Sequence, residues 1–525
     1  MTVSLFTCVL AEAGFSRPRM APSSAGQLKW VRTDQASNER LQIQPPIPFE
    51  MLNGPSTANT LLVNTSDLLQ TIIGFGGALT ESSASVFEKL TPVAQEDFMD
   101  AYFGDEGQRY TLARTHIGSC DFALEYYSYH DMKDDFSMST FNMSHDFERL
   151  IPFIRRAKAK VDESWVAAAN NKSQFRLVAS PWSPPRWLKV CQQYWCLGAC
   201  GLRNEEPGAP YRTAYARYLS KYLTTMASVG IKPWAITPQN EPQACKPTME
   251  STTFTKESER DFIGQQLGPM LRQEHPDVKL LAYDHNKDNV ARWADTILGD
   301  ATAATYTDGV AFHWYSSHDY FDHLEAVHTS HPDALLLATE ATEGRDLGHY
   351  LANQSWAKGE HYAHVILGDL NHWAVGWIDW NIVLDRDGGP THPGPKECEG
   401  LVKCGDDAMV IVNTTYGDVT TRSTFYPQIF FWYMGHFSRY IAPGSRRVRL
   451  DNPLDATGNG GDAKGKADGS LEAIATLSAD GTQVVVVAMN RNDHSIDFAL
   501  KDAASGRAAS LSINAHAIHT YWFAL

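Results

Sequence analysis

Between residues 71 and 440 the chain alternates short apolar runs with longer amphipathic stretches, and it does so eight times. The runs are QTIIGFGG, YTLARTHIG, FRLVASPW, KPWAITPQNEP, VKLLAYDH, GVAFHWY, ALLLATEA and AVGWIDWN. Each is rich in Val, Ile, Leu or Ala and ends in polar or aromatic residues. A run that is apolar throughout, rather than at every second position, marks a strand buried on both faces, as in a parallel sheet. The intervening stretches carry helical periodicity. In 211–229, Tyr211, Ala214, Tyr215, Tyr218, Leu219, Tyr222, Leu223 and Met226 recur on one face at three- and four-residue spacing, and Gly230 supplies the stop. Further helices read at about 81–90, 146–160, 257–274, 288–299, 319–330, 355–372 and 424–441. Strand then helix, eight times, predicts an α/β chain with a (β/α)8 (TIM) barrel over 71–441.

After about residue 442 the pattern changes. RRVRL, LEAIATL, QVVVVAMNR, SIDFAL, AASLSI and IHTYWFAL read as short strands divided by turns such as ADGT and RND, which predicts an antiparallel β-sandwich module over 442–525. Residues 28–70 also read as strand and turn and are free to join that module. Residues 1–27 contain a short apolar run without a basic flank and are set apart as a signal or leader remnant. The Gly-rich stretch ATGNGGDAKGKADG (456–469) reads as a mobile loop.

With 43% hydrophobic and 20% charged residues the chain can fill a large core. The net charge of −16 argues against a nucleic-acid partner, since phosphate binding needs a basic face. No uninterrupted apolar run reaches the roughly 18 residues of a membrane-spanning helix. Five N-x-S/T sequons, at Asn64, Asn142, Asn171, Asn353 and Asn413, lean toward the secretory pathway. The eight cysteines include a cluster at Cys191, Cys196 and Cys200 and a close pair at Cys398 and Cys404, with Cys8, Cys120 and Cys245 more isolated. Clusters on loops fit local disulfides better than zinc, because CxxC and CxH spacings are absent. Cys120 follows a strand and reads as a buried free thiol.

Catalytic groups of such a barrel sit at the C-terminal ends of its strands. Strand four ends in Thr237-Pro238-Gln239-Asn240-Glu241-Pro242 and strand seven in Ala338-Thr339-Glu340-Ala341. An arbitrary Glu is a solvated or salt-bridged carboxylate, but Glu340 closes a run of Leu and Ala, where an unused charge is costly. Two carboxyl groups facing each other across one mouth are what glycoside hydrolysis requires: one protonates the leaving oxygen, the other attacks the anomeric carbon or activates water.

The motifs QTIIGFGGALTESSA, ARTHIGSCDF, ASPWSPPRWLK, WAITPQNEP, HWY, LLLATEA and GWIDWN, in this order, resemble glycoside hydrolase family 30, above all its glucosylceramidase branch. The likeness runs from about residue 60 through SRYIAPGSRRV to the final IHTYWF strand. It implies a retaining double displacement with Glu241 as acid/base and Glu340 as nucleophile, their carboxyl groups roughly 5–5.5 Å apart. Glu340 is then expected to be ionised and Glu241 to have a raised pKa. Asp121, Trp182, Asn240 and Trp380 are expected to hold the sugar, with Phe122 as a pocket wall and Asp379 as a weaker candidate. Arg114, His313 and Tyr315 are expected to support the carboxylates, with His313 and Tyr315 pointing inward and Trp314 outward. The resemblance implies hydrolysis of glucosylceramide or another β-glucoside at a membrane surface, at acidic pH. It further implies neither metal nor organic cofactor, with anionic-lipid stimulation and an activator protein as further expectations. Tyr194, Trp195 and Leu197 are candidates for an exposed apolar rim. The segment 191–210 and Thr342 depart from the mammalian members. A β-1,6-glucan or related polysaccharide is the rival substrate, and a non-catalytic sugar-binding protein the rival from another class.

Overall fold

The computed structural model describes residues 26–51, 59–165, 173–198, 200–203, 210–344, 355–392, 405–413, 424–455 and 470–525. Cys8, Cys398, Cys404, Asn171, Asn353, most of 1–27 and the stretch 456–469 lie outside the described residues.

Among the described residues, five strands precede the barrel: β1 (Gln27–Asp34), β2 (Glu39–Ile43), β3 (Ile47–Pro48), β4 (Glu50–Met51) and β5 (Thr60–Thr71). The barrel strands are β6 (Gly74–Ala78), β7 (Leu112–Ile117), β8 (Arg176–Pro181), β9 (Ala235–Ile236), β10 (Lys279–Asn286), β11 (Gly309–His313), β12 (Leu335–Glu340) and β13 (Ala374–Asn381). They close in sequence order, β13 pairing back to β6, and all eight run parallel. Leu112, Val178, Ala235, Leu281, Ala311, Leu337, Val375 and Ile378 fill the inside. This explains the unbroken apolar runs, since the outer faces pack on helices. β6 is narrowed by glycine: a Cβ on Gly76 would stand 1.8 Å from the Leu112 carbonyl oxygen.

The helices follow the periodicity with several differences, one of them a break at Arg149 that splits the helix expected over 146–160 into Ser144–Glu148 and Leu150–Trp165. Pro92–Phe103 and Ala301–Tyr306 are additional helices. The helix expected over 257–274 is interrupted by a π-turn at Ile263–Leu267, just before Gly268-Pro269. Proline lacks the N–H that an unbroken α-ladder needs, and the wider turn takes up the mismatch. The last barrel helix is shorter than expected, Ile429–Ser438, because Pro427 closes a short strand in front of it.

That strand is β16 (Phe425–Pro427), which with β14 (Val383–Asp385) and β15 (Val410–Val412) makes a small sheet beside the barrel. β17 (Arg446–Asp451), β18 (Glu472–Leu477), β19 (Gln483–Asn490), β20 (Ile496–Asp502), β21 (Arg507–Ile513) and β22 (Ala517–Ala524) complete the chain. They join β1–β5 in an 11-stranded sheet folded over its own core of Leu61, Val63, Val484, Val486, Phe498 and Phe523. One pairing departs from the antiparallel expectation: β20 lies parallel to β5. Val485, Val487 and Met489, on the other face of β19, pack with the barrel core. QVVVVAMN is therefore apolar at successive positions because this layer is covered on both sides.

Buried polar clamps hold the two bodies together. His436, on the last barrel helix, contacts Thr520 Oγ1 and Thr33 Oγ1 at 2.8 Å each. His364, on the helix Trp356–Asn371, lies 2.6 Å from Glu472 and 3.1 Å from Asp319, and Arg491 donates to Glu472 at 2.6 Å.

Candidate active site

The C-terminal mouth of the barrel is organised around one buried cation. Arg114, on β7, is fully buried and donates to Glu340 Oε2, to Asn240 Oδ1 at 2.8 Å and to Asp284 Oδ2 at 2.8 Å. These partners come from three other strand ends, so one guanidinium sets the spacing of the mouth. Burial disfavours its charge, but Asp284 and Glu340 more than compensate and raise its pKa. Glu340 Oε1 accepts a second hydrogen bond, from the Tyr315 hydroxyl at 3.0 Å. The nucleophile candidate thus has one oxygen on a cation and the other on a phenol.

Asp284 was not singled out by the sequence reading, although it ends VKLLAYDH just as Glu340 ends its own run. It accepts from Ser180 Oγ at 2.7 Å, Thr237 Oγ1 at 2.8 Å and Thr339 Oγ1 at 2.7 Å, besides Arg114. Its Oδ1 also lies 3.1 Å from His313 Nε2. Burial alone would raise this carboxyl, but Arg114, His313 and Thr339 hold it below the usual range. The missed signal is a carboxylate, with hydroxyls ending neighbouring runs, at one level of the barrel.

Glu241 sits just beyond β9 in a left-handed backbone conformation, φ 46°, and Asp284 has φ 57°. Such values are uncommon outside glycine and persist where the surroundings fix them. Here the Glu241 amide donates to the Asp284 carbonyl at 2.9 Å, and the Asn240 amide to the Pro181 carbonyl at 2.8 Å. Glu241 Oε1 faces His313 Nδ1 at 3.4 Å and His285 Nδ1 at 3.6 Å. The raised pKa expected for Glu241 is not what these neighbours give. Burial pushes it up, but the two imidazoles outweigh burial and lower it. His313 is disfavoured as a cation by burial and favoured by Glu340, Asp284 and Glu241, which push it up to about 9. The proton in this corner belongs to a coupled group rather than to one carboxyl.

Trp182 and Trp380 stack at 5.2 Å between ring centroids, with Phe122 edge-on to Trp380 at 6.1 Å. The Arg114 guanidinium lies over both indoles, 4.8 and 5.5 Å from their centroids. Asp121 borders this wall, and its Oδ1 is buried without a hydrogen-bond partner. Burial, with Asp406, Glu340, Glu250 and Glu241 nearby, raises its pKa well above normal. Asp406, a second carboxyl absent from the sequence reading, is raised to about 7 by burial and by Glu340 and Asp407. Asp379 faces the helix layer instead, accepting from the Tyr362 hydroxyl at 2.9 Å. Strand alternation accounts for this: Asp379 falls between Ile378 and Trp380. Trp314 also faces outward, stacking on His361 at 4.6 Å, while Tyr315 reaches in past the end of β11.

The segment after β8 is pinned by disulfides Cys191–Cys200 and Cys196–Cys245, and Cys120 is a buried free thiol. Leu197 is 75% exposed on this segment, but Tyr194 is buried. Its ring stacks on Tyr126 at 5.8 Å and its hydroxyl donates to Asp131 at 3.1 Å, so it does not form an apolar rim. Trp195 is partly buried beside Tyr126. Of the described sequon residues, Asn142 is exposed, while Asn64 and Asn413 are partly buried. Among the described residues no helix is long and apolar enough to cross a membrane.

Two family models match the chain. The glycosyl hydrolase family 30 TIM-barrel domain covers residues 72–441, and the glycosyl hydrolase family 30 beta sandwich domain covers residues 444–521. Lysosomal acid glucosylceramidase of Mus musculus is 32% identical over 89% of this chain and 84% of its own. Endo-1,6-beta-D-glucanase of Neurospora crassa is 28% identical over 80% of this chain and 78% of its own. The crystal structure of SrfJ from Salmonella typhimurium superposes with a TM-score of 0.80 at 26% identity, over 95% of this chain and 99% of that one.

Proposed function

The chain belongs to glycoside hydrolase family 30 and is a retaining glycoside hydrolase, and from that premise we propose that it hydrolyses glucosylceramide to glucose and ceramide. The observation that carries the reading is the unequal setting of two carboxyls at one mouth. Glu340 is fixed by a cation and a phenol, whereas Glu241 faces the imidazoles of His285 and His313.

In the first step Glu340 attacks the anomeric carbon and forms a glycosyl ester. The bond to the ceramide oxygen breaks, and Glu241 delivers its proton to that oxygen. In the second step Glu241 takes a proton from water, the water oxygen bonds to the anomeric carbon, and Glu340 leaves as a carboxylate. His313 faces the Glu241 oxygen that gives up and regains the proton. Asn240 receives the sugar 2-OH, and the unpartnered Asp121 Oδ1 accepts from sugar hydroxyls. Trp182, Trp380 and Phe122 wall the ring. Arg114 and Asp284 position the carboxylates without touching sugar.

The likeness to the mouse glucosylceramidase, higher than that to the fungal glucanase, supports the lipid substrate over a polysaccharide. Leu197 is the apolar tip we assign to the membrane surface. Anionic-lipid stimulation, an activator protein, glycosylation at the sequons and an acid optimum complete the proposal. The disulfides fit the secretory pathway, with the lysosome as the destination and the extracellular space as the alternative.

The test is ceramide release from glucosylceramide in anionic liposomes at pH 5, with the Glu340→Gln variant and β-1,6-glucan run in parallel. Ceramide that disappears in the variant supports both substrate and nucleophile. Shortened glucan without ceramide moves the protein to the polysaccharide reading. Activity equal in both forms removes Glu340 from the mechanism.

A further inference from the structure

His285 and His313 turn Nδ1 toward the same oxygen, Glu241 Oε1, at 3.6 and 3.4 Å. A charge-assisted N–H···O bond is shorter, about 2.7–2.9 Å. Both Nδ1 atoms are buried and neither has a hydrogen-bond partner, and His313 is fully buried. Two imidazoles therefore aim at one carboxylate oxygen without seating a good hydrogen bond on it.

The spacing has another chemical meaning. The three ligand atoms lie within 4.8 Å of one another. Around tetrahedral zinc, with ligands at about 2.0–2.2 Å, neighbouring donor atoms stand about 3.3 Å apart. The two edges to Glu241 are close to that length. His313 is also backed as a ligand would be. Its Nε2 lies 3.1 Å from Asp284 Oδ1. Once a metal displaces the proton that Glu340, Asp284 and Glu241 favour on this ring, an Nε2–H donated to Asp284 leaves the Nδ1 lone pair facing the pocket, the carboxylate–histidine arrangement that supports metal-binding imidazoles. Asp284 is itself held by Arg114 and three hydroxyls, so this backing is rigid.

We propose that Glu241, His285 and His313 form a binding site for one divalent cation of the zinc class, with the fourth position open to water from the pocket. Two nitrogens and one carboxylate oxygen suit zinc better than magnesium or calcium, which take oxygen ligands. The site is inhibitory: a Glu241 oxygen that coordinates metal neither gives a proton to the leaving oxygen nor takes one from water. Binding rests on the geometry alone, and inhibition rests on Glu241 being the acid/base.

The experiment uses the full chain stripped of metal with a chelator. Zinc is titrated by calorimetry, and the filled protein is examined by X-ray absorption at the zinc edge. The expected result is one ion with two nitrogens and one oxygen at about 2.0–2.2 Å. His285→Asn and Glu241→Gln each weaken binding by at least about tenfold, with thermal midpoints confirming that both variants fold. Hydrolysis of a soluble aryl β-glucoside falls as the site fills and returns with EDTA. Equal zinc affinity in wild type and His285→Asn overturns the site. Zinc that fills the site while hydrolysis is unchanged overturns the inhibition, and with it the assignment of Glu241.

Discussion

Two buried charge networks in this molecule are built from the same residue types to opposite ends. At the seam between barrel and sandwich, His364, Asp319, Glu472 and Arg491 close on one another. None of their buried side-chain nitrogens or oxygens lacks a partner. At the barrel mouth, Arg114, Asp284 and Glu340 are as tightly tied, but Asp121 Oδ1, His285 Nδ1 and His313 Nδ1 are left open. A closed network contributes to holding two bodies in register. An open one costs stability and leaves capacity for a ligand. Between these two clusters the difference lies in completeness of pairing rather than in burial or charge.

The largest expected effect is at Glu340, the proposed nucleophile. Glu340→Gln is expected to lower kcat/KM by at least about 10^4-fold in steady-state hydrolysis of an aryl β-glucoside, with the thermal midpoint changed by only a few degrees. A loss below tenfold would take catalysis away from this network.

Next in size is a matched pair. Asp284→Asn in the mouth and His364→Ala at the seam each break a buried ion pair, at a cost of about 3–5 kcal/mol in chemical denaturation. The Asp284 variant is expected to lose activity as well, by about 10^2-fold in kcat, since Arg114 and His313 lose their common anchor. The His364 variant is expected to keep kcat within about twofold while folded. A seam variant that loses activity in proportion would show that the two networks are coupled, and the contrast would fail.

Much of the fold and part of the mouth were legible in the sequence, for identifiable reasons. Eight apolar runs gave the barrel because parallel strands are buried on both faces, and the family assignment and fold class agree with that pattern. Glu241 and Glu340 stood out because a carboxylate at the end of an apolar run is hard to explain otherwise. Asp284 carried the same signal and passed unnoticed, because its role depends on Ser180, Thr237 and Thr339, on three different strands, meeting at one point. Asp379 was misplaced because a β-strand's alternation fixes a face only once the register is known, and β13 shifts register on both sides. Tyr194 was expected on the rim and lies buried, since nothing local shows that Tyr126 and Asp131 receive its ring and hydroxyl. The seam is long-range by nature: His364 and Glu472 are brought together only by the docking of two bodies.

Proton linkage separates the networks without large disruption. His364 and His313 are both pushed up to about 9, against 6.5 for an ordinary imidazole. For the seam, burial disfavours the His364 cation and Glu472 and Asp319 restore it. A raised pKa contributes stability that is full below about 6.5 and lost as pH rises through about 9. Glu472 is held low, chiefly by His364 against the burial that would raise it, so its share is lost as pH falls below the ordinary carboxylate range. The seam is expected to be strongest between those limits. Thermal midpoints should fall from pH 6.5 to 9, and His364→Gln should flatten part of that slope. The basic limb of kcat/KM, which we assign to the His313–Glu241 group, should keep its position in that variant. Movement of both by one substitution would merge the two clusters.

The smallest effect probes a single donor. Thr339→Val removes the 2.7 Å hydrogen bond to Asp284 Oδ1 and keeps the shape of the side chain. One bond to a charged acceptor is worth about 1.5–3 kcal/mol, and Asp284 retains Arg114, Ser180, Thr237 and His313. The loss should therefore fall at the lower end in chemical denaturation. In the open network the same deletion frees the oxygen that faces His313, so the imidazole shifts between Asp284 and Glu241 and the basic limb of the pH–rate profile moves. At the seam, Arg491→Met also deletes a donor to a carboxylate, Glu472, and should change stability by a similar amount without moving that limb. A displaced limb in the Thr339 variant and an unmoved one in the Arg491 variant is the outcome the open-versus-closed distinction requires. Two unmoved limbs would mean that His313 is held by packing and takes no part in the proton traffic of Glu241.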